Sequence, residues 1–236
     1  MIILTGGLAG SSVLTSLLRS SGYWTGESTV KKSDYDTWEN SELVALNNQI
    51  FACANFNEDW TLRFRPEYVD SFRSPGSKID DNLLTSFIRK CDERAPWVWK
   101  DPRLWLTIWV WRKHINFNTT VFLVIRRELM QSWISTTIRR QVQTIGHLKR
   151  YDAGVHGVII EFLEQNSAAY VDILYEELIC NPESVIGQIN DLTNSRMTLE
   201  NLKSVFRGKL YRKQHGMLAL VKASAIYAKN FRRRYR

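Results

Sequence analysis

A chain of 236 residues with 44% hydrophobic content is long enough for one full α/β core and short for two domains of ordinary size, so a single domain over residues 1–236 is expected. A net charge of +8, part of it in a basic tail from about residue 225 that holds Arg232, Arg233, Arg234 and Arg236, suits an anionic partner: a nucleotide, a nucleic acid or an acidic membrane surface. Three scattered cysteines without a CxxC exclude a disulfide framework and offer no metal site, and no run of ~18 apolar residues spans a bilayer, so a soluble, cytosolic protein is expected.

In chain order, Ile2-Ile3-Leu4 reads as a short buried strand that stops at Thr5-Gly6-Gly7. Val13, Leu14, Leu17 and Leu18 then repeat at helical spacing from Ser11, with Gly22 as the stop. Residues 35–52 read as a helix with Leu43, Leu46, Ile50 and Phe51 on one face. Residues 55–80 read as loops with a short helix after Pro66, and Asp81 to Cys91 as another helix. Trp97 to Trp99 predicts a strand, followed by Lys100-Asp101-Pro102-Arg103 and a Trp-rich helix. Thr119 to Ile125 is β-branched and uncharged, a buried strand that runs into Arg126-Arg127 and a helix from about Leu129. A helix over 155–170, a strand over Val171 to Leu174 and a helix from Pro182 complete the pattern. Strands alternating with helices predict a mostly parallel, helix-covered sheet, the α/β class.

Two segments carry chemistry. Gly7-Leu8-Ala9-Gly10-Ser11-Ser12 joins a strand to a helix. Glycines let backbone approach an anion, the helix N-terminus presents unpaired N–H groups, and the two serines add hydroxyls. The loop is not a Walker A motif, which requires a Lys that is absent before Arg19, and this disfavours a kinase-like P-loop enzyme. The second segment is the strand end Arg126-Arg127, with Ser132 and Ser135 on the next helix. Ligands of α/β sheets lie outside the carboxyl ends of strands, and a guanidinium fork suits phosphate.

Together these residues resemble the PAPS-dependent sulfotransferases, of bacterial type with a P-loop-like architecture. The loop is similar to that family's 5′-phosphosulfate loop, and the Arg…Ser pair to its 3′-phosphate motif. Tyr175-Glu176-Glu177-Leu178…Asn181-Pro182-Glu183, Lys100-Asp101-Pro102-Arg103-Leu104 and Trp38-Glu39-Asn40 resemble further family segments, all in the expected order over residues 1–185. The resemblance implies a transferase that moves a sulfuryl group from PAPS to a hydroxyl or amine, leaving 3′-phosphoadenosine 5′-phosphate and needing no metal. The acceptor, a small molecule, carbohydrate or peptide, is not legible. Residues 55–80 and 140–157 are the expected acceptor walls.

By the same resemblance, Gly10, Ser11 and Ser12 hold the 5′-phosphosulfate, with Gly7, Leu8 and Ala9 completing the loop. The 3′-phosphate falls to one Arg and one Ser. A spacing of eight selects Arg127 and Ser135, whereas strand register favours Arg126, with Ser132 as the companion alternative. Arg207-Gly208-Lys209 is a candidate for a basic loop over the same phosphate. The chain departs from the family at Leu8, where a Lys or Arg usually stands, and at Ala9, which replaces a Ser. Lys100 and Arg103 are the candidates to supply the missing charge. The departure also leaves open a protein that binds the nucleotide without efficient transfer. For the general base, Asp101 comes first and Glu39 second, Asp101 also reading as a helix cap before Pro102. The tryptophans from 97 to 111 suit core packing, and His114, His147, His156 and His215 fall in no motif.

Overall fold

Ile2–Leu4 (β1) has no polar side chain, and all three residues are fully buried, which requires cover on both faces of the strand. The computed structural model describes residues 1–33, 35–76, 79–193, 195–206 and 216–233. After β1 the chain forms α1 (Ser11–Ser20), an antiparallel hairpin of β2 (Thr29–Lys31) and β3 (Asp36–Asn40), then α2 (Ser41–Cys53), α3 (Glu67–Arg73) and α4 (Asp81–Asp92). β4 (Trp99–Lys100), α5 (Leu104–Trp111), β5 (Phe122–Arg126), α6 (Leu129–Ile138) and α7 (Ile145–Gln165) follow. The last elements are β6 (Tyr170–Leu174), α8 (Tyr175–Cys180), α9 (Pro182–Thr193), α10 (Leu199–Phe206) and α11 (Met217–Lys229).

Four strands form one parallel sheet in the order β4-β1-β5-β6, with Ile3 opposite both Lys100 and Leu123. The side-chain alternation of a strand splits the core in two. Ile2, Leu4, Phe122 and Val124 pack on one face with the tryptophans of α5 and the apolar side of α7. Ile3, Leu123 and Ile125 pack on the other with Leu14 and Leu17 of α1 and Ile186 of α9. The protein is thus an α/β fold in which helices cover both faces of a parallel sheet, as expected. The tryptophans at 99, 105, 109 and 111 are core residues. No helix among the described residues is long and apolar enough to cross a membrane.

The strands expected over Trp97 to Trp99 and Thr119 to Ile125 form at Trp99–Lys100 and Phe122–Arg126, and two helical segments differ more. The helix expected over 35–52 is a strand up to Asn40 and a helix only from Ser41. The Asn40 side chain accepts hydrogen bonds from the N–H groups of Glu42 and Leu43, so the polar cap decides where the helix starts. The helix expected over 155–170 starts ten residues earlier, at Ile145, where Thr144 caps it by accepting from the His147 N–H. It ends at Gln165, and Tyr170 already belongs to β6. Arg207-Gly208-Lys209, His215, Arg234 and Arg236 lie outside the described residues.

Candidate active site

The loop after β1 is held at its start by two hydrogen bonds. Thr5 Oγ1 accepts from the Gly7 N–H at 3.2 Å, and the Tyr151 hydroxyl of α7 donates to the Gly6 carbonyl. Gly7, Leu8 and Gly10 take left-handed backbone angles, φ 88°, 58° and 84°. Gly10 is the N-cap of α1 and has no side chain to satisfy the helix N-terminus. Among the described residues no acceptor meets the N–H groups of Ser11 or Ser12, and the first turn holds no acidic side chain. These donors and the positive end of the helix dipole face a cleft of about 250 Å³. A side chain at position 10 is forbidden twice over, by the positive φ and because a Cβ there would run into the Tyr175 ring.

The next wall comes from β4 and β3. Lys100 is 1% exposed, and its Nζ donates to Glu39 Oε1 at 2.7 Å and reaches Ser12 Oγ at 3.5 Å. Burial pulls the Lys100 ammonium below its ordinary value, against the charge and hydrogen bond of Glu39. Both residues line the cleft. Asp101, the first candidate for the base, does not. It is fully buried, with Oδ2 accepting from Asn47 at 2.8 Å and Oδ1 accepting from the backbone N–H and guanidinium of Arg103, each at 2.9 Å. Asn47 in turn accepts from the Trp111 indole N–H at 2.9 Å. Asp101 closes a turn just ahead of α5, whose N-cap is Arg103, and Arg103 is tied to that carboxylate rather than aimed at the loop.

The two arginines at the end of β5 part company. Arg126 points to the α7 side and forms a two-bond pair with Asp172, at 3.0 and 2.9 Å, while His156 bonds the same carboxylate at 2.9 Å. Ser132 lines this far side of the loop as well, with Ala9. Arg127 and Ser135 line the main cleft with Gly7, Leu8, Gly10, Ser11 and Ser12. Arg127 is 7% exposed, bonds Glu176 at 3.3 Å and lies 5.2 Å from the Tyr175 ring centre. The spacing of eight, not the strand register, picks the pair that meets the loop, because Arg127 has already left the strand and turned over its end.

Sequence reasoning missed Lys32, Tyr35, Arg139 and Gln141, which line the same cleft. Their signal was present, since Lys31-Lys32 ends β2 and Arg139-Arg140 ends α6, but a basic pair alone is usually a solvated face. Of the expected acceptor walls, Trp60, Thr61 and Leu62 reach the cleft, as does Gln141, whereas residues 145–157 belong to α7. Among the described residues no group of His, Cys, Asp and Glu gathers as a metal site would.

No protein-family model matches the chain, and no curated protein sequence does. Solved structures similar to it include two sulfotransferase domains. The sulfotransferase domain of the olefin synthase of Synechococcus PCC 7002 aligns with a TM-score of 0.55 and 14% identity, over 96% of this chain and 86% of that one. The sulfotransferase domain from the curacin biosynthetic pathway aligns with a TM-score of 0.54 and 16% identity, over 92% of this chain and 80% of that one. Over nearly its whole length, this chain therefore has a fold similar to that of sulfotransferase domains.

Proposed function

We propose that the cleft binds PAPS and that the protein transfers its sulfuryl group to a hydroxyl or amine of an acceptor. The observation that carries this reading is the convergence, on one cleft, of an uncapped helix N-terminus, the buried Lys100 and the pair Arg127 and Ser135. The residues fit the ligand. Unpaired N–H groups of Ser11 and Ser12 suit the 5′-phosphosulfate, and a guanidinium with the Ser135 hydroxyl of the second turn of α6 suits the 3′-phosphate. The similarity to sulfotransferase domains supports the fold on which such a site is built.

In this reading the acceptor oxygen attacks sulfur in line, the bond from sulfur to the bridging oxygen breaks, and its electron pair stays on the 5′-phosphate. Lys100, beside Ser12, offsets the charge that grows on the bridging oxygen and stands in for the cation missing at Leu8. Glu39 receives the acceptor proton, because it lines the cleft where Asp101 does not. Leu8 favours one second reading, a protein that binds the nucleotide but transfers poorly.

Calorimetric titration with 3′-phosphoadenosine 5′-phosphate, ATP and AMP tests the binding half. The bisphosphate is expected to bind about tenfold or more tightly than AMP, and Arg127→Ala to abolish that preference while Arg126→Ala does not. Equal affinity for all three nucleotides would sink the reading. Transfer of labelled sulfuryl from PAPS to simple alcohols, above the rate without protein, separates the enzyme from the binding-only alternative.

A further inference from the structure

Most charges along the cleft are balanced. Lys100 is paired with Glu39 and Arg127 with Glu176. Lys32 and Arg139 line the same cleft, yet neither meets a carboxylate among the described residues. Both converge on Tyr35: an Arg139 NH donates to the Tyr35 hydroxyl at 3.4 Å, and the Lys32 ammonium lies 5.7 Å from the ring centre. The phenol registers the resulting field. Burial would raise it, but the Arg139 hydrogen bond and the charges of Arg139 and Lys32 outweigh burial and lower it. Two cations brought to one concave surface repel each other, a cost that a bound anion removes.

The cluster lies beyond Ser135 along α6 and ahead of Glu39 along β3, with Tyr35 within electrostatic reach of Lys100. Arg139 is the C-cap of α6, one turn beyond Ser135 and about 6 Å further along the helix axis. Tyr35, Thr37 and Glu39 line the cleft at alternate positions leading into and along β3. At about 3.3 Å per residue, Tyr35 lies at most about 13 Å from Glu39, and the left-handed turn at Trp38 shortens that distance.

We infer that Lys32, Tyr35 and Arg139 form an oxyanion subsite, so that the acceptor carries a carboxylate or phosphate roughly 10 Å from its reacting hydroxyl. The inference rests on the sulfotransferase reading for the identity of that hydroxyl, but the anion contact can be tested without it. The guanidinium and ammonium supply charge-assisted donors, and the Tyr35 hydroxyl supplies a neutral one. The subsite selects acceptors by charge at the end remote from the chemistry. Its binding energy holds the hydroxyl against Glu39.

Three probes of matched length decide it: 8-hydroxyoctanoate, 8-hydroxyoctyl phosphate and 1,8-octanediol, titrated by calorimetry into the protein with and without saturating 3′-phosphoadenosine 5′-phosphate. At least one anion is expected to bind about tenfold or more tightly than the diol. Which anion wins identifies the group. Arg139→Gln is expected to reduce that advantage to under about threefold, Lys32→Gln to reduce it partly, and Arg139→Lys to retain most of it. Equal binding of all three probes, or an anion preference that survives Arg139→Gln, overturns the subsite. A loss of about tenfold or more in bisphosphate affinity in Arg139→Gln assigns Arg139 to the nucleotide and overturns it as well. If the bisphosphate does not bind the wild-type protein at all, the sulfotransferase reading fails. The comparison of anions with the diol in the nucleotide-free protein then still decides the subsite.

Discussion

Leu8 holds an apolar side chain in left-handed backbone, φ 58°, at the lip of the cleft. That conformation disfavours a branched side chain, so the loop is kept in shape by its two anchors, Thr5 and Tyr151. Leu8→Lys is expected to leave bisphosphate affinity within about threefold and to raise single-turnover sulfuryl transfer by about tenfold or more. An unchanged rate would mean that Lys100 already meets the need. Glu39→Gln keeps an acceptor for the Lys100 ammonium but cannot take a proton, so turnover should fall by about a hundredfold with nucleotide affinity preserved. Asp172 offers a test by acid. Burial alone would raise its carboxyl, but hydrogen bonds from His156 and Arg126 outweigh burial and hold it down to about 2. A depressed carboxyl contributes stability that is present above its unfolded value near 4 and is lost as pH falls through 2. Asp172→Asn should therefore destabilise the protein at pH 7 and flatten the decline between about pH 4 and 2, as read by urea midpoints across that window.

At the scale of elements, a buried polar chain ties α2 to the segment after β4 and to α5: Trp111 to Asn47 to Asp101 to Arg103. Asn47→Ala strands a buried carboxylate oxygen and an indole N–H, at a cost of about 2–4 kcal/mol, measurable by urea unfolding. Asp101→Ala should show the same kind of stability loss, which sets it apart from the rate loss expected at Glu39. The strands and the glycine-rich loop were legible because their signals are local: uncharged β-branched runs, and glycines meeting a helix start. The β2–β3 hairpin was not. Trp38 and its neighbours lack clean alternation, Trp38 itself takes φ 58°, and the apolar spacing of α2 extends the helical pattern backwards over them. Missing the hairpin meant missing Lys32 and Tyr35. Arg139 was missed for the same reason, because its partner lies 104 positions away.

Across the whole molecule, the Trp-rich segment, expected to suit core packing, is buried core beside the site. Trp99 stacks near Phe87, with ring centres 5.3 Å apart, sits 4.8 Å from Trp111, and immediately precedes Lys100 in β4. Trp99→Ala is expected to cost about 3–5 kcal/mol and to weaken nucleotide binding through a displaced Lys100, as seen by thermal melting and titration on one preparation. The architecture followed from order along the chain, but the site did not, since it joins residues from six separate stretches between residues 6 and 175. The family-like motifs offered Arg127 and Ser135 as one of two alternatives, the one that lines the main cleft. They also drew attention to Asp101, whose place beside a matching lysine reflects packing demands.

The Tyr175 ring touches both ends of the proposed nucleotide site, closing over Gly10 on one side and lying beneath the Arg127 guanidinium on the other. The two ends therefore do not respond as separate parts. A change at position 10 moves the ring and with it the arginine, so losses measured for Gly10→Ala and Arg127→Ala should overlap when the two are combined. One aromatic side chain makes a loop near the start of the chain and a strand end 117 residues later answer as a single body.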